Sequence, residues 1–578
     1  MRGDRGAAIR ITKFFTKWEK NPLAFRRRLL LSAGVMTLAP RFLVNFWAGL
    51  RTARFLRRQK ALGRGIEAQR AAFGRLVAQA APTDFGRANR LAAGMSYEQF
   101  RHAVPPRTYA QFQPEIERMA AGEENVLSPG RCRFFVSTAG TAETTPKLLP
   151  VTEPMLGHYR AGLRDAVFFH AGHVGHTGVF LGRHLHAGTS TALTEKNGAF
   201  YGSFDGLLAL SCPPWVEANL YAPPPAIARL PEGPEKYAAI CACLQGSDVT
   251  LLGGTPASVL ALADAMRTRA GDGRHPAASL RTVWPNLECF VHTGAPLGLF
   301  AEPLRASLGP GVIFHELYAA AEGIVAAQDG DSAHGLRLLS NAGLFFEFLP
   351  LRDYNEDHLA GLGDRCLPLE QVQPDIGYAV FLTTPAGLCR YALGDVVRFL
   401  SVNPPRLVVT GRTKLHLDAY GERLGERELT ETVLAVCHRN GWQPANFHAA
   451  PYASRAQPGL GRICHEWWVE LRPGSVKTPT GPLLAQELDI ELMRRNPDYA
   501  AKRRQRTLDS PVVRLVMPGT FDQWAQSRHA LACASKMPRG RSDRLIADQL
   551  AALARFHSGS TQAPFVSTPP IVPPTPPQ

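Results

Sequence analysis

The sequence predicts an α/β protein built as a large, multi-subdomain N-terminal domain followed by a smaller α+β C-terminal domain. Three observations carry that prediction. Apolar runs that read as buried strands, Gly178-Val-Phe-Leu-Gly182 and Val249-Thr-Leu-Leu-Gly-Gly254, alternate with helical stretches such as Ala257 to Arg267. After Lys414 the character changes, and residues 412–557 read as a separate mixture of helices and strands. At 578 residues, 45% hydrophobic and 20% charged, the chain is long enough and apolar enough for at least two cores.

The net charge of +16 would suit a nucleic-acid partner if it were spread over a groove. It is not spread. Fifteen Lys and Arg against Asp4 and Glu19 place +13 of it in residues 1–60, so no nucleic-acid partner is expected. Ten cysteines lie scattered without metal-ligand spacing, as reduced thiols of a cytoplasmic protein do.

In chain order, residues 1–60 form a basic amphipathic N-terminal arm in which Phe42, Phe46, Trp47 and Leu50 would share one helical face. Its apolar runs are too short to span a bilayer. They suit either a helix lying on an anionic membrane surface, a peripheral contact, or helices of the large domain. Arg26-Arg-Arg28 before Leu29 faintly resembles an export signal. Residues 61–411 make the large domain. Helices and turns around Thr83 to Gly86, Tyr97 to Phe100 and Pro114 to Gly122 lead to a strand at Arg133 to Val136. Thr255 caps the helix that follows Val249 to Gly254, with Pro256 at its first position. Leu287 to His292, Phe381 to Thr384, Tyr391 to Val397 and Val408 to Thr410 read as strands. Phe345 to Pro350 and Leu367 to Val372 read as strands completing a smaller β subdomain. In residues 412–557, Glu426 to Arg439 and Glu487 to Arg495 read as helices, and Glu466 to Leu471 and Val512 to Val516 as strands. Residues 558–578 are Ser-, Thr- and Pro-rich, a tail with no core to bury.

Several stretches carry chemistry. Ser137-Thr-Ala-Gly-Thr-Ala-Glu-Thr-Thr-Pro-Lys147 offers hydroxyls, a glycine and a compact cation, which is what phosphate oxygens need, although it lacks Walker spacing. A solvated turn is the plainer reading of such a loop. Gly411-Arg-Thr-Lys414 leaves a strand with two cations, a poor buried turn and a good place for an anion. Asp395, between Gly394 and Val396, can accept the two hydroxyl protons of a ribose diol. His170, His173, His176, His184 and His186 show no carboxylate or cysteine at ligand spacing and read as packing or surface histidines.

Four stretches in order, Ser137 to Lys147, Tyr318 to Gly323, Tyr391 to Arg398 with Gly411 to Lys414, and Lys536-Met-Pro-Arg539, resemble the adenylate-forming enzymes. Among them the chain is most similar to the Gretchen Hagen-type acyl acid-amido synthetases, the auxin-responsive promoter family, over residues 80–550. The resemblance implies a large acyl-adenylating domain, a mobile C-terminal cap and a two-step ligase. Such a ligase uses ATP and Mg²⁺ to activate a carboxylic acid and passes the acyl group to an amino acid. It assigns Thr138, Gly140, Thr141 and Lys147 to the phosphates, and Thr293, Gly294, Ala295 and Tyr318 to adenine. Asp395 and Arg412 fall to ribose, and Glu322 to Mg²⁺, a hard cation that takes oxygen ligands. Lys536 and Arg412 are the catalytic candidates, Lys536 neutralising charge as the carboxylate attacks phosphorus. An ATP-consuming enzyme implies the cytoplasm. Two departures stand out: Thr144 and Thr145 replace the family's second glycine and a basic residue, and Ala532, Cys533 and Ala534 replace its glycine-rich lead and glutamine. They keep one alternative in view, a catalytically weakened nucleotide-binding homologue; a second, an acyl-coenzyme A ligase, shares the adenylation half and differs in its acceptor. No residue pattern identifies the acid or the oligomeric state.

Overall fold

The computed structural model describes residues 41–138, 147–271, 277–294, 297–413, 416–419, 422, 424–454, 462–473, 478–527 and 537–554. The first described element is helix α1 (Arg41–Ala61). Ala48, Thr52, Phe55 and Gln59 recur at helical spacing and form its buried face. Phe55 meets the Phe169 ring edge-on, centroids 5.0 Å apart, so this stretch is packed on the large domain. Residues 1–40 and the tail 558–578 lie outside the described residues.

Strands β1 (Phe134–Thr138) and β2 (Lys147–Val151) pair antiparallel, with Thr138 opposite Lys147. Helix α2 (Glu153–Val174) follows; the Thr152 side chain accepts from the Met155 amide at its start, and Gly175 ends it in the left-handed region at φ 77°.

Gly178 to Gly182, expected as a strand, is a 3₁₀ turn over Gly178–Leu181. The Val179 carbonyl is taken by side chains, His184 Nε2 at 2.8 Å and Thr250 Oγ1 at 2.8 Å, so no neighbouring strand pairs with it. The strand, β3 (Arg183–His186), begins where the Arg183 amide reaches the Asp248 carbonyl. A short apolar run does not by itself distinguish these outcomes.

Next come β4 (Val249–Gly254), α3 (Pro256–Ala270), β5 (Cys289–His292), β6 (Ile313–Ala320), β7 (Gly323–Ala327), β8 (Leu336–Leu338), β9 (Phe345–Pro350), β10 (Gly377–Thr383), β11 (Tyr391–Val402) and β12 (Pro405–Arg412). Thr255 caps α3 as expected, accepting from the Ser258 amide at 3.2 Å. All the strands from β3 to β12 join one twelve-stranded sheet ordered Leu367–Pro368, β9, β10, β11, β12, β8, β7, β6, β5, β4, β3, Tyr221–Ala222. The β3 to β6 neighbours are parallel and those from β6 to β12 antiparallel. The expected smaller β subdomain is the antiparallel half of this one sheet. Leu367 to Val372 supplies only a two-residue strand before a 3₁₀ turn over Leu369–Gln371. Pro368, which has no N–H to donate, keeps it at the sheet edge.

One buried ionic cluster anchors the start of β11. Arg390, fully buried, bonds both Glu347 oxygens through Nε at 3.1 Å, and its other nitrogens donate to the carbonyls of Arg101, Val104 and Gly363. Tyr97 also donates to Glu347, at 2.8 Å. A guanidinium so completely satisfied holds the chain on either side of it, and β11 enters the sheet from there.

The C-terminal unit contains α4 (Glu426–Asn440), β13 (Pro444–Ser454), β14 (Arg462–Leu471), α5 (Gly481–Arg495) and β15 (Val512–Val516). Its sheet runs β13-β14-β15, antiparallel then parallel, over a core that includes Leu429, Val433, Trp467 and Leu488. Leu299, from the turn after β5, packs into this same core and ties the two units together in this structure.

Candidate active site

The site is assembled where β6, β7, β11 and β12 meet the β1–β2 hairpin. Residues 321–322 turn the chain from β6 to β7, and α2 fixes that turn from beneath. Tyr159 donates to the Ala321 carbonyl at 2.5 Å, and His158 Nε2 accepts from the Ile324 amide at 2.8 Å. His158 Nδ1 must then carry the proton it donates to the Ala342 carbonyl at 2.9 Å. Burial holds this imidazole neutral, lowering its pKa to about 4.

The turn presents Glu322, which is buried and accepts from the Tyr391 hydroxyl at 2.8 Å. Burial raises its pKa, against the pull of Lys147 and the Tyr391 bond, while Asp395 pushes it the same way as burial. Those influences place Lys147, Glu322, Tyr391 and Asp395 in one electrostatic neighbourhood. Four residues along β11, Asp395 accepts from the Tyr318 hydroxyl at 2.6 Å and pairs with Arg412 Nε at 3.3 Å. The strand register puts Asp395 directly across from Arg412. Gly394 lies at φ 86° inside a break in the β10–β11 register, between Ala392 opposite Phe381 and Val396 opposite Ala379, and its carbonyl accepts from the Thr413 amide at 2.9 Å. A side chain there would be strained, and the glycine is what lets β11 shift its pairing next to Asp395. Arg412 is partly exposed; the desolvation it does undergo works against its charge, yet Asp395 and then Glu426 hold its pKa above the usual value.

Among the other sequence-predicted residues, Thr138 and Lys147 stand opposite each other at the base of the hairpin, with the Lys147 ammonium 5.5 Å from the Tyr109 ring centroid. Thr293 and Gly294 follow β5, with the Thr293 amide bonded to the Gly254 carbonyl at 3.2 Å. Gly140, Thr141, Ala295 and Lys536 lie outside the described residues. Tyr318 is buried in the core of the antiparallel half, with its hydroxyl committed to Asp395.

Folding also recruits residues that the sequence reading left without a role. Tyr391, Tyr159 and Tyr109 hold Glu322, its turn and Lys147. Glu426, the first residue of α4, accepts from the Arg539 amide at 2.9 Å. Arg539, from the Lys-Met-Pro-Arg stretch, donates to Asn446 and lies over the Phe447 ring, and burial lowers its pKa to about 10. The available signal was position: Tyr391 and Arg539 both sit inside motifs already singled out.

The histidine cluster gains a carboxylate only through folding. His170 lies 3.0 Å from His315 and 3.2 Å from Glu288. Among the described residues, no group of three or more His, Cys, Asp or Glu has the arrangement of a metal site.

The donor set suits a nucleotide with its magnesium ion. Mg²⁺ is usually held by one or two carboxylates plus substrate phosphates, and Glu322 with one oxygen fixed by Tyr391 fits that need. Lys147 supplies charge for phosphate oxygens, and Asp395 offers acceptors beyond those used by Tyr318 and Arg412.

The GH3 family N-terminal domain matches residues 57–269, the GH3 family central domain 337–412 and the GH3 family C-terminal domain 427–544. The chain belongs to the GH3 family. A probable indole-3-acetic acid-amido synthetase GH3.1 of Arabidopsis thaliana is 22% identical over 540 residues, 80% of this chain and 87% of that protein. Similarity to the probable indole-3-acetic acid-amido synthetase GH3.12 of Oryza sativa subsp. japonica is 24% over 334 residues. It spans 53% of this chain and about half, 54%, of the rice protein. The solved AtGH3.15 acyl acid amido synthetase in complex with 2,4-DB superposes with a TM-score of 0.68 at 17% identity, covering 88% of this chain and 97% of that one. The GH3 architecture, a large α/β domain with a smaller C-terminal domain, is thus shared across nearly the whole chain.

Proposed function

We propose that this GH3 chain is an ATP-dependent acyl acid-amido synthetase. The observation that carries the reading is the linked set Tyr391–Glu322 and Tyr318–Asp395–Arg412 with Lys147 in electrostatic reach of Glu322. It is drawn from segments far apart in a chain whose relatives bear acid-amido synthetase names. In the first step an oxygen of the substrate carboxylate bonds to the α-phosphorus of ATP, and the bond from that phosphorus to pyrophosphate breaks. In the second, the amino group of an amino acid bonds to the acyl carbon of the adenylate, the bond to AMP breaks, and the amine releases a proton.

Asp395 accepts the ribose hydroxyls and Arg412 steadies it, while Thr293, Gly294 and Ala295 line the adenine beside the Tyr318 ring. Thr138, Gly140, Thr141 and Lys147 hold the phosphates, and Lys536 offsets the charge that develops as the carboxylate attacks. Glu322 holds Mg²⁺, which when bound screens the phosphate charges. Docking of the cap through Leu299 is one of two cap positions, one for each half-reaction.

The test is pyrophosphate release across a panel of carboxylic acids, beginning with indole-3-acetic acid because the relatives are named for it. Wild type and Lys536→Ala are compared, then coenzyme A and an amino-acid mixture are offered as acceptors and the products weighed by mass spectrometry. Amide product, with release lost in Lys536→Ala, is the expected result. A thioester product transfers the reading to an acyl-coenzyme A ligase. Background release with every acid, alongside measurable ATP binding, transfers it to a nucleotide-binding protein without turnover.

A further inference from the structure

Helix α1 has two opposed faces, and among the described residues only one of them is packed against the large domain. Ala48, Thr52, Phe55 and Gln59 face the large domain. On the opposite side Phe42 is 71% exposed, Phe46 61%, Trp47 58% and Leu50 51%. Phe42, Phe46 and Leu50 are spaced four apart and so form a ridge. Beyond Leu50 the same outward side continues as Arg54 and Arg57, both exposed. The helix contains six Lys and Arg and no Asp or Glu. An apolar half followed by a basic half on one outward side is the pattern of a helix that buries its aromatic end at the boundary of a bilayer and lays its cations along the headgroups. Among the described residues no helix is long and apolar enough to cross a membrane, so the contact would be peripheral.

Charge complementarity selects the occupant. Residues 1–40 carry nine Lys and Arg against Asp4 and Glu19, and a second copy of the chain presents the same basic helix. Both are repelled by Arg54, Arg57 and their neighbours, whereas an anionic lipid surface is attracted by them. We propose that α1 docks the protein on anionic phospholipid bilayers, with Phe42, Phe46, Trp47 and Leu50 inserted at the interface.

The first turns of α1 lie by the starts of β3 and β4, at the other strand ends from Thr293 and Gly294. Arg41 pairs with Asp248, the residue before β4, and Asn45 accepts from Thr177, ahead of β3. Thr293 and Gly294 follow the last residue of β5, which runs parallel to β4. The six residues of β4 put these two strand ends about 20 Å apart.

The test is flotation of the full-length protein with vesicles of phosphatidylcholine alone or with roughly one-third phosphatidylserine. Wild type should bind the phosphatidylserine vesicles in a salt-sensitive way and leave pure phosphatidylcholine unbound. Phe46→Ser/Leu50→Ser and Arg54→Glu/Arg57→Glu should each weaken binding by roughly tenfold or more. Neither should shift the thermal unfolding midpoint, because these side chains point to solvent. Flotation does not depend on turnover, so its outcome stands apart from that of the ligase assay. Undiminished flotation of Phe46→Ser/Leu50→Ser would assign binding to residues 1–40 and overturn the proposal. Equal capture by pure phosphatidylcholine would overturn it too. So would a dimer that dissociates in that variant while wild type ignores vesicles, which would make the face a contact between copies.

Discussion

Replacing Asp395 by Ala tests the site's central bond and its proposed role in one experiment. The Tyr318 hydroxyl donates to Asp395 at 2.6 Å, and burial with the neighbouring carboxylate raises the Tyr318 pKa well above its usual value. Asp395→Ala leaves that hydroxyl buried without its acceptor, a loss of about 1–3 kcal/mol. The Arg412 side chain is 41% exposed, so its share of the ion pair adds only about 0–1 kcal/mol. Tyr318→Phe in the same background removes the orphaned donor, so the double variant should recover part of the loss, with a coupling of about 1–3 kcal/mol. Urea unfolding of the four proteins measures it, and additivity to within about 0.5 kcal/mol would refute the bond. Calorimetric titration with ATP measures the functional half. Two hydrogen bonds to a carboxylate are worth about 1.5–3 kcal/mol each, so ATP affinity should fall by about a hundredfold or more. Affinity or ATP-dependent activity within about twofold of wild type would rule out the ribose assignment.

Three further outcomes are expected. Tyr391→Phe removes the donor that favours ionised Glu322, so the acid limb of the Mg²⁺-dependent rate should move up by about one to two pH units; an unmoved limb would separate Glu322 from the metal. Glu347→Ala leaves Arg390 buried and uncompensated and should destabilise the large domain by about 3–5 kcal/mol in denaturant unfolding, with a loss under about 1 kcal/mol counting against the anchoring role. His158 has a folded-state pKa of about 4, below its unfolded 6.5, so the folded chain binds fewer protons in that window and stability falls as pH drops through it. Relative to His158→Gln, wild type should lose about 1.4 kcal/mol more per pH unit between those values, and parallel stability curves would contradict the burial account.

How far the chain was legible follows the range of each interaction. The cap on α3 was readable because Thr255, Pro256 and Ser258 act within one turn. The strands around Asp395 and Arg412 were readable because β-branched runs next to glycine mark them locally. Gly178 to Gly182 was misread because the partners of the Val179 carbonyl, His184 and Thr250, come from outside the run. That the β subdomain continues the parallel sheet was not legible, because hydrophobic pattern fixes which side of a strand is buried but leaves open which sheet it joins.

The sequence by itself determined the α/β class, the family resemblance and most of the residues worth mutating, since residue types and short spacings encode those. Tertiary structure alone decided that Tyr391 grips Glu322, that Tyr318 grips Asp395, that Leu299 belongs to the cap's core and that α1 turns its aromatic ridge outward. Each of these depends on elements brought together by sheet order and packing, and no local pattern carries that information because the partners lie many residues apart or because one helical face is chosen by what covers the other.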